Sequence, residues 1–267
     1  MKFLFIVQGE GRGHFTQAIT LEEMLLRNGH EVVEVLVGKS STRTLPGFFN
    51  RSIHAPVKRF ISPNFLPTAD NKRANLTKSF AYNLLRLPEY LRSMYYINQR
   101  IRETGAEVVI NFYELLTGLT YALFRPSVPY ICVGHQYLFL HRDFEFPDKN
   151  SCQLWMLRFF TRMTALRSSK KLALSFLEME QDDMNQIVTV PPLIRQEVTA
   201  IRPEKGDYIH GYMVNSGFAD SVESFHAKHP EVPLTFFWDR SDAEEVTRID
   251  ETLSFHQIDR KSTRLNS

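Results

Sequence analysis

The chain has 267 residues, 43% of them hydrophobic and 23% charged, with a formal net charge of +2. That length and composition exclude a wholly disordered chain and allow one large or two modest domains, and the near-neutral balance gives no support to a dedicated nucleic-acid binder. Two cysteines, Cys132 and Cys152, are too few for a disulfide framework and fit a reducing cytosol.

The first element is an apolar run, Phe3 to Val7, that passes directly into Gly9, Gly11, Gly13 and His14. It reads as a buried strand, a tight loop and a helix N-terminus, the junction at which α/β proteins hold phosphates and place catalytic groups. The run is too short for a secretory signal, and no apolar stretch approaches the roughly 18 residues of a spanning helix. The expected location is therefore cytoplasmic, with contact at the inner face of the membrane left open.

Residues 14–28 carry Ala18, Leu21, Leu25 and Leu26 on a helical period with Gly29 as the stop, and EVVEVLVG reads as a second buried strand. Residues 40–70 hold Pro46, Pro56, Pro63 and Pro67 and read as loops with short extended pieces. Residues 72–103 read as helical, kinked or broken at Pro88. AEVVINFY is a third strand, a helix follows over 115–124, PYICVGHQ is a fourth strand, 151–168 a helix and KLALSFL a fifth strand. Pro191, Pro192, Pro203 and Gly206 mark a domain boundary. A new β-α-β then begins with DYIHGYMV, a helix over 221–229 and VPLTFFWD, with TLSFHQI as one more strand. The alternation argues a Rossmann-like parallel α/β sheet over residues 1–200 and a partial second Rossmann-like domain over 206–260. Residues 261–267, KSTRLNS, read as a non-native tail on a truncated second domain.

The glycine loop admits three readings. A dinucleotide fingerprint wants a third glycine where His14 stands, with Glu34 as the ribose-binding acid about 20 residues on. A histidine in a glycine loop at a helix N-terminus also suits a general base for acyl or glycosyl transfer. Or the glycines serve strand–helix packing and the histidine caps the helix.

At these residues the chain resembles glycosyltransferases of the GT-B fold. It is most similar to the branch holding the lipid-linked N-acetylglucosaminyltransferase of peptidoglycan synthesis and the glucuronosyltransferase-like enzymes. Gly13-His14, Ala18, Leu21 and Gly29-His30-Glu31-Val32 fill the family's places. The resemblance implies an acceptor-binding first domain and a nucleotide-sugar-binding second one. It implies that His14 deprotonates the acceptor hydroxyl for inverting attack, without metal or other cofactor, a UDP-sugar being the co-substrate. Glu114 matches the acid that some relatives pair with that histidine, so His14 and Glu114 are the expected catalytic residues. Gly11, Arg12, Gly13, Asn111, His135 and Gln136 are the expected acceptor-side residues, and Asn215, Ser216 and Gly217 the expected donor-side ones. The acceptor is expected to be a carbohydrate or glycolipid. The alternatives are a nucleotide-sugar epimerase of the same fold or a non-catalytic carbohydrate- or nucleotide-binding protein. LWMLRFFTRMTALRSSKK, residues 154–171, is apolar and basic enough to rest on anionic lipid or, equally, to be a core-facing helix with a solvated basic side.

Overall fold

A computed structural model describes residues 1–39, 45–63, 82–146, 152–213, 216–238, 240 and 243–257. These fall into two compact units, one over 1–63 and 82–196, the other from 197 on.

The first unit is built on seven parallel strands, β1 (Lys2–Gln8), β2 (Glu31–Lys39), β3 (Val57–Ile61), β4 (Val108–Phe112), β5 (Tyr130–Val133), β6 (Lys170–Leu174) and β7 (Ile187–Val190), in the order β3-β2-β1-β4-β5-β6-β7. Helices α1 (Arg12–Arg27), α2 (Gly47–Ser52), α3 (Leu87–Glu103), α4 (Leu115–Phe124) and α5 (Cys152–Thr164) lie in the crossovers. The continuous apolar run of β1 is what a strand buried on both faces requires. Leu4 and Ile6 join one core with Ile97, Ile101, Val109 and Tyr130; Phe3, Phe5 and Val7 join another with Phe15, Ile19, Val35 and Phe112. Each such side chain contributes roughly 1.5–3 kcal/mol on burial. The predicted α/β Rossmann-like class is the observed one.

Strand order reverses between β1 and β4, since β2 and β3 extend to one side of β1 and β4–β7 to the other. At such a switch point the loops at the carboxyl ends of the two strands separate and leave room for ligands. His14 follows β1 and Glu114 follows β4, so both stand at this point.

Some elements differ from the sequence expectation. In the expected loop segment 40–70, β3 is a short extended piece as read, an edge strand whose only buried side chain is Phe60, but α2 was not expected there. Pro88 opens α3 rather than kinking it, because the first turn has no intrahelical acceptor for the missing N–H. Residues 72–81 lie outside the described residues. Strand β7 was too short to stand out. Glu34 is not free for a ribose. Its carboxylate takes Arg100 Nε and Nη2 at 2.8 and 3.0 Å and Lys58 Nζ at 2.7 Å, tying β2 to α3 and β3.

In the second unit α6 (Gln196–Thr199) precedes β8 (Ile209–Met213), α7 (Ala219–His226), β9 (Leu234–Trp238), β10 (Val246–Arg248) and β11 (Leu253–Gln257), with sheet order β10-β11-β9-β8. The β8-α7-β9 unit and parallel β11 match the expectation; β10 was not foreseen, and it pairs antiparallel with β11. Trp238 stacks on Phe255 at 4.4 Å in a small core. Residues 258–267, including the expected tail, lie outside the described residues.

The turn before β11 is held by Asp250. It accepts from His226 Nε2 at 2.6 Å and from the backbone N–H of Thr252 and Leu253, both at 2.8 Å, and its carboxyl falls from 3.8 to about 2, mainly through His226. A depressed carboxylate stabilises the fold above its unfolded pKa and stops doing so as pH falls through the folded one. The Asp250 contribution is therefore complete above about pH 4 and lost towards pH 2. In a Trp155→Phe background, Trp238 fluorescence should report an acid transition in that window. Asp250→Asn should flatten the pH dependence; an unchanged acid midpoint would refute this role.

Candidate active site

The glycines of the first loop do three different things. Gly9 donates its N–H to the Gly38 carbonyl at 2.7 Å, and a Cβ there would meet that same oxygen at 2.6 Å, so it lets β1 and β2 end in contact. Gly11 is the N-cap of α1, in extended conformation and with no side-chain cap. Gly13 is exposed, with open space around the position of a Cβ. Arg12 is half-buried between them.

In the first turn of α1 stands His14, 7% exposed. Its Nδ1 lies 3.3 Å from Gln17 Oε1 and its Nε2 lies 3.3 Å from Gln136 Nε2. The ring stacks on Tyr113, with centroids 5.8 Å apart and planes 20° from parallel. Burial drives its pKa from 6.5 down to about 4; the Gln17 contact opposes this and the His135 charge adds to it. The imidazole is thus neutral at pH 7 and keeps a lone pair for a proton. Gln136 and His135 belong to a 3-10 turn, His135–Leu140, at the carboxyl end of β5, with His135 exposed. Gln136 Oε1 is buried without a hydrogen-bond partner.

Glu114 is fully buried and caps α4, its Oε1 accepting from Leu116 N at 3.1 Å and Ser62 Oγ at 2.6 Å. Its Oε2 has no partner and packs on Gly38, where a Cβ would meet it at 2.3 Å. The expected pairing of His14 with Glu114 is not made: the carboxylate turns towards β2 and β3, while both imidazole nitrogens face amides. Asn111 also differs from its expected substrate-binding place. It is fully buried, its Oδ1 accepts from Glu114 N at 2.9 Å, and its Nδ2 donates to the carbonyls of Glu114 and Thr164 at 3.2 and 2.9 Å. Two of these bonds close the β4–α4 turn and the third ties it to the end of α5.

Tyr113 sits in that turn with φ 60°, the left-handed region that a bulky residue rarely adopts. Its hydroxyl meets Thr161 Oγ1 at 2.8 Å, and its ring touches His14, Tyr137 and Phe160. The sequence offered no sign of this residue. Gln17 was legible in principle, since a side chain three residues after His14 shares its helix face. On the expected donor side, Gly217 lies in the turn Ser216–Phe218 between β8 and α7, whereas Asn215 and the Ser216 side chain lie outside the described residues. Among the described residues no three His, Cys, Asp or Glu side chains are grouped so as to hold a metal ion.

A family model described as "Glycosyl transferase family 1" matches residues 1–256. A comparison with curated protein sequences finds no match. Among solved structures, Arabidopsis thaliana UGT89C1 complexed with UDP-L-rhamnose is 14% identical, with TM-score 0.54, over 96% of this chain and 69% of that one. Phytolacca americana UGT2, complexed with UDP-2fluoro-glucose and pterostilbene, is 12% identical, with TM-score 0.55, over 88% and 66%. A Listeria monocytogenes protein provisionally named a UDP-N-acetylglucosamine 2-epimerase is 12% identical, with TM-score 0.54, over 90% and 63%. The chain thus spans about two thirds of the length of these proteins, and at such identities the likeness concerns the fold.

Burial dominates the Glu114 carboxyl and pushes it from 4.5 up to about 7, against the Ser62 and Leu116 hydrogen bonds. A carboxyl raised in the fold costs nothing when protonated, so the cost appears above about pH 4.5 and is complete above about 7. Glu114→Gln should equal the wild type in urea unfolding at pH 4.5 and exceed it at pH 8 by roughly 1–3 kcal/mol. The same difference at both pH values would show that the carboxyl does not titrate in this way.

Proposed function

The chain belongs to glycosyl transferase family 1, and on that premise we propose that it transfers a sugar from a nucleotide sugar to a hydroxyl of a carbohydrate or glycolipid, inverting the anomeric carbon. Its fold is that of the GT-B glycosyltransferases. The observation that carries the proposal is the neutral His14, at the switch point of the first sheet, with Nε2 turned to an amide that a hydroxyl can replace.

In this reading the acceptor hydroxyl gives its proton to His14 Nε2 as its oxygen bonds to the anomeric carbon. The bond from that carbon to the donor's phosphate oxygen breaks, and the nucleoside diphosphate leaves with the electron pair. A sugar hydroxyl is a poor nucleophile, so a positioned base is worth about 10²–10⁴-fold. Gly11, Arg12 and Gly13 border the base, and the exposed, half-buried and exposed settings of His135, Arg12 and Gly13 suit contact with a polar acceptor. The donor, a UDP-sugar as in the UGT complexes above, is assigned to the second unit, with the backbone N–H groups of Ser216 and Gly217 offered to its phosphates. It serves as co-substrate, and the reaction as written uses no resident cofactor or metal. We assign residues 1–200 to the acceptor domain and 206–260 to the donor domain.

The glycolipid option has a surface behind it. Trp155 and Phe159 on α5 are 63% and 48% exposed and stack on each other, near the basic Arg158 and Arg162 in sequence. Leu85, Leu91 and Tyr95, at the start of α3 and just before it, are exposed as well. Among the described residues no helix is long and apolar enough to cross a membrane. We assign the protein to the cytoplasm, resting peripherally on anionic lipid.

Two measurements test the proposal. With a panel of UDP-sugars and glycan or glycolipid acceptors, release of UDP should depend on acceptor, and His14→Ala should lower kcat/KM by about 10²–10⁴-fold. The acid limb of kcat/KM should lie near pH 4, the pKa of the buried imidazole. Unchanged turnover in His14→Ala would refute the base, and conversion of the nucleotide sugar without acceptor would favour an epimerase. In liposome co-sedimentation, binding should rise with anionic lipid and fall on Trp155→Ser; equal pelleting with neutral lipid would remove the membrane assignment.

A further inference from the structure

We infer that Gln17 is a positioning residue of the base: its Oε1 holds the His14 Nδ1 proton, keeps the Nε2 lone pair directed at Gln136, and takes the place of the carboxylate that Glu114 does not supply. The inference rests on the glycosyl-transfer reading, which gives the lone pair its use.

The two amides present opposite ends to one ring. Gln17 offers an acceptor oxygen to Nδ1, and Gln136 offers an N–H to Nε2, each at 3.3 Å. Only the neutral Nδ1–H imidazole satisfies both at once. The Nε2–H tautomer would set a bare Nδ1 against the Gln17 oxygen and an N–H against the Gln136 N–H, so both amides would have to turn over together. The imidazolium would keep the Gln17 contact but set a second N–H against the Gln136 amide, at a ring that is buried from water.

Gln136 then marks the place of the acceptor hydroxyl. That hydroxyl must give its proton to the nitrogen that Gln136 now occupies, so the amide yields to it. Gln136 Oε1, buried and without a partner, gains one if the amide rotates and accepts from a donor O–H. As Nε2 takes the proton, the ring becomes positive and its Nδ1–H bond to Gln17 Oε1 strengthens. A neutral amide supports the positive ring less than a carboxylate does, which agrees with a base that stays unprotonated at rest. The titratable groups that face the ring are His135, from the turn after β5, and Tyr113, from the β4–α4 turn.

The test reads the tautomer directly and needs no substrate. In long-range ¹H–¹⁵N spectra of the ¹⁵N-histidine-labelled full chain at pH 7, with His14 assigned by the loss of its signals in His14→Asn, Nδ1 should be the proton-bearing nitrogen and Nε2 the bare one. Gln17→Met, at a half-exposed position, should move the tautomer ratio towards Nε2–H by about fivefold, the worth of one net hydrogen bond. With the acceptors above it should lower kcat by a similar factor and leave KM unchanged. Gln17→Glu should keep the Nδ1–H form and raise the His14 titration midpoint. A wild-type Nε2–H ring, or a tautomer ratio unmoved by Gln17→Met, would overturn the inference. These spectra are independent of turnover: conversion of the nucleotide sugar without acceptor would overturn the glycosyl-transfer reading while leaving the tautomer result to stand or fall by itself.

Discussion

The first unit depends on one tight turn, the passage from β4 to α4. Asn111 closes it with three hydrogen bonds from a single amide, two within the turn and one to the Thr164 carbonyl at the end of α5. Tyr113 is forced into left-handed backbone to make the bend, a conformation costing of order 1–3 kcal/mol, and its ring and hydroxyl are then gripped by Thr161, Tyr137 and Phe160. From that position the ring lies flat against His14. The turn thus sets where the imidazole can be, and it sends the next side chain, Glu114, away from it.

Electrostatically, the neighbourhood of the switch point favours neutral groups. Burial lowers the imidazole of His14 and raises the carboxyl of Glu114, and in both cases the charged form is the one penalised. An ion pair between them would have offset both penalties, yet their contacts run to uncharged amides, a hydroxyl and backbone N–H groups. Elsewhere in the unit the buried carboxylate of Glu34 does have cations, Arg100 and Lys58, and there it works as a tie between elements. The contrast separates a carboxylate that cross-links strands and helix from a carboxyl held as a helix cap beside a candidate base.

Close backbone approach is the second recurring constraint. Gly38 makes room for the Glu114 carboxylate, and Gly118 lets α4 meet the end of α5, where a Cβ would come within 2.1 Å of the Met163 carbonyl. That contact helps to pin α5 by its last turn, where Thr161 and Thr164 are its only buried residues among those described. The earlier turns project Trp155 and Phe159 outward.

The sequence by itself determined the α/β class, the strands with strong apolar runs and the position of His14. Continuous apolar runs can be buried only between two helical layers, and a strand–glycine–helix junction has one place in such a sheet. Short edge strands such as β7 and β10 escaped because few side chains on an edge are buried, so no pattern marks them. Which group faces His14 from outside its own helix was decided by the tertiary structure alone. Spacing along the chain put Glu114 at the right strand end, but side-chain direction depends on the φ of Tyr113, on the hydroxyl of Ser62 from beyond β3 and on the space left by Gly38. Gln17 reaches the ring from the same face of α1, whereas Gln136, 122 residues from His14 in sequence, meets it only because β1 and β5 flank β4 in one parallel sheet and end at the same edge.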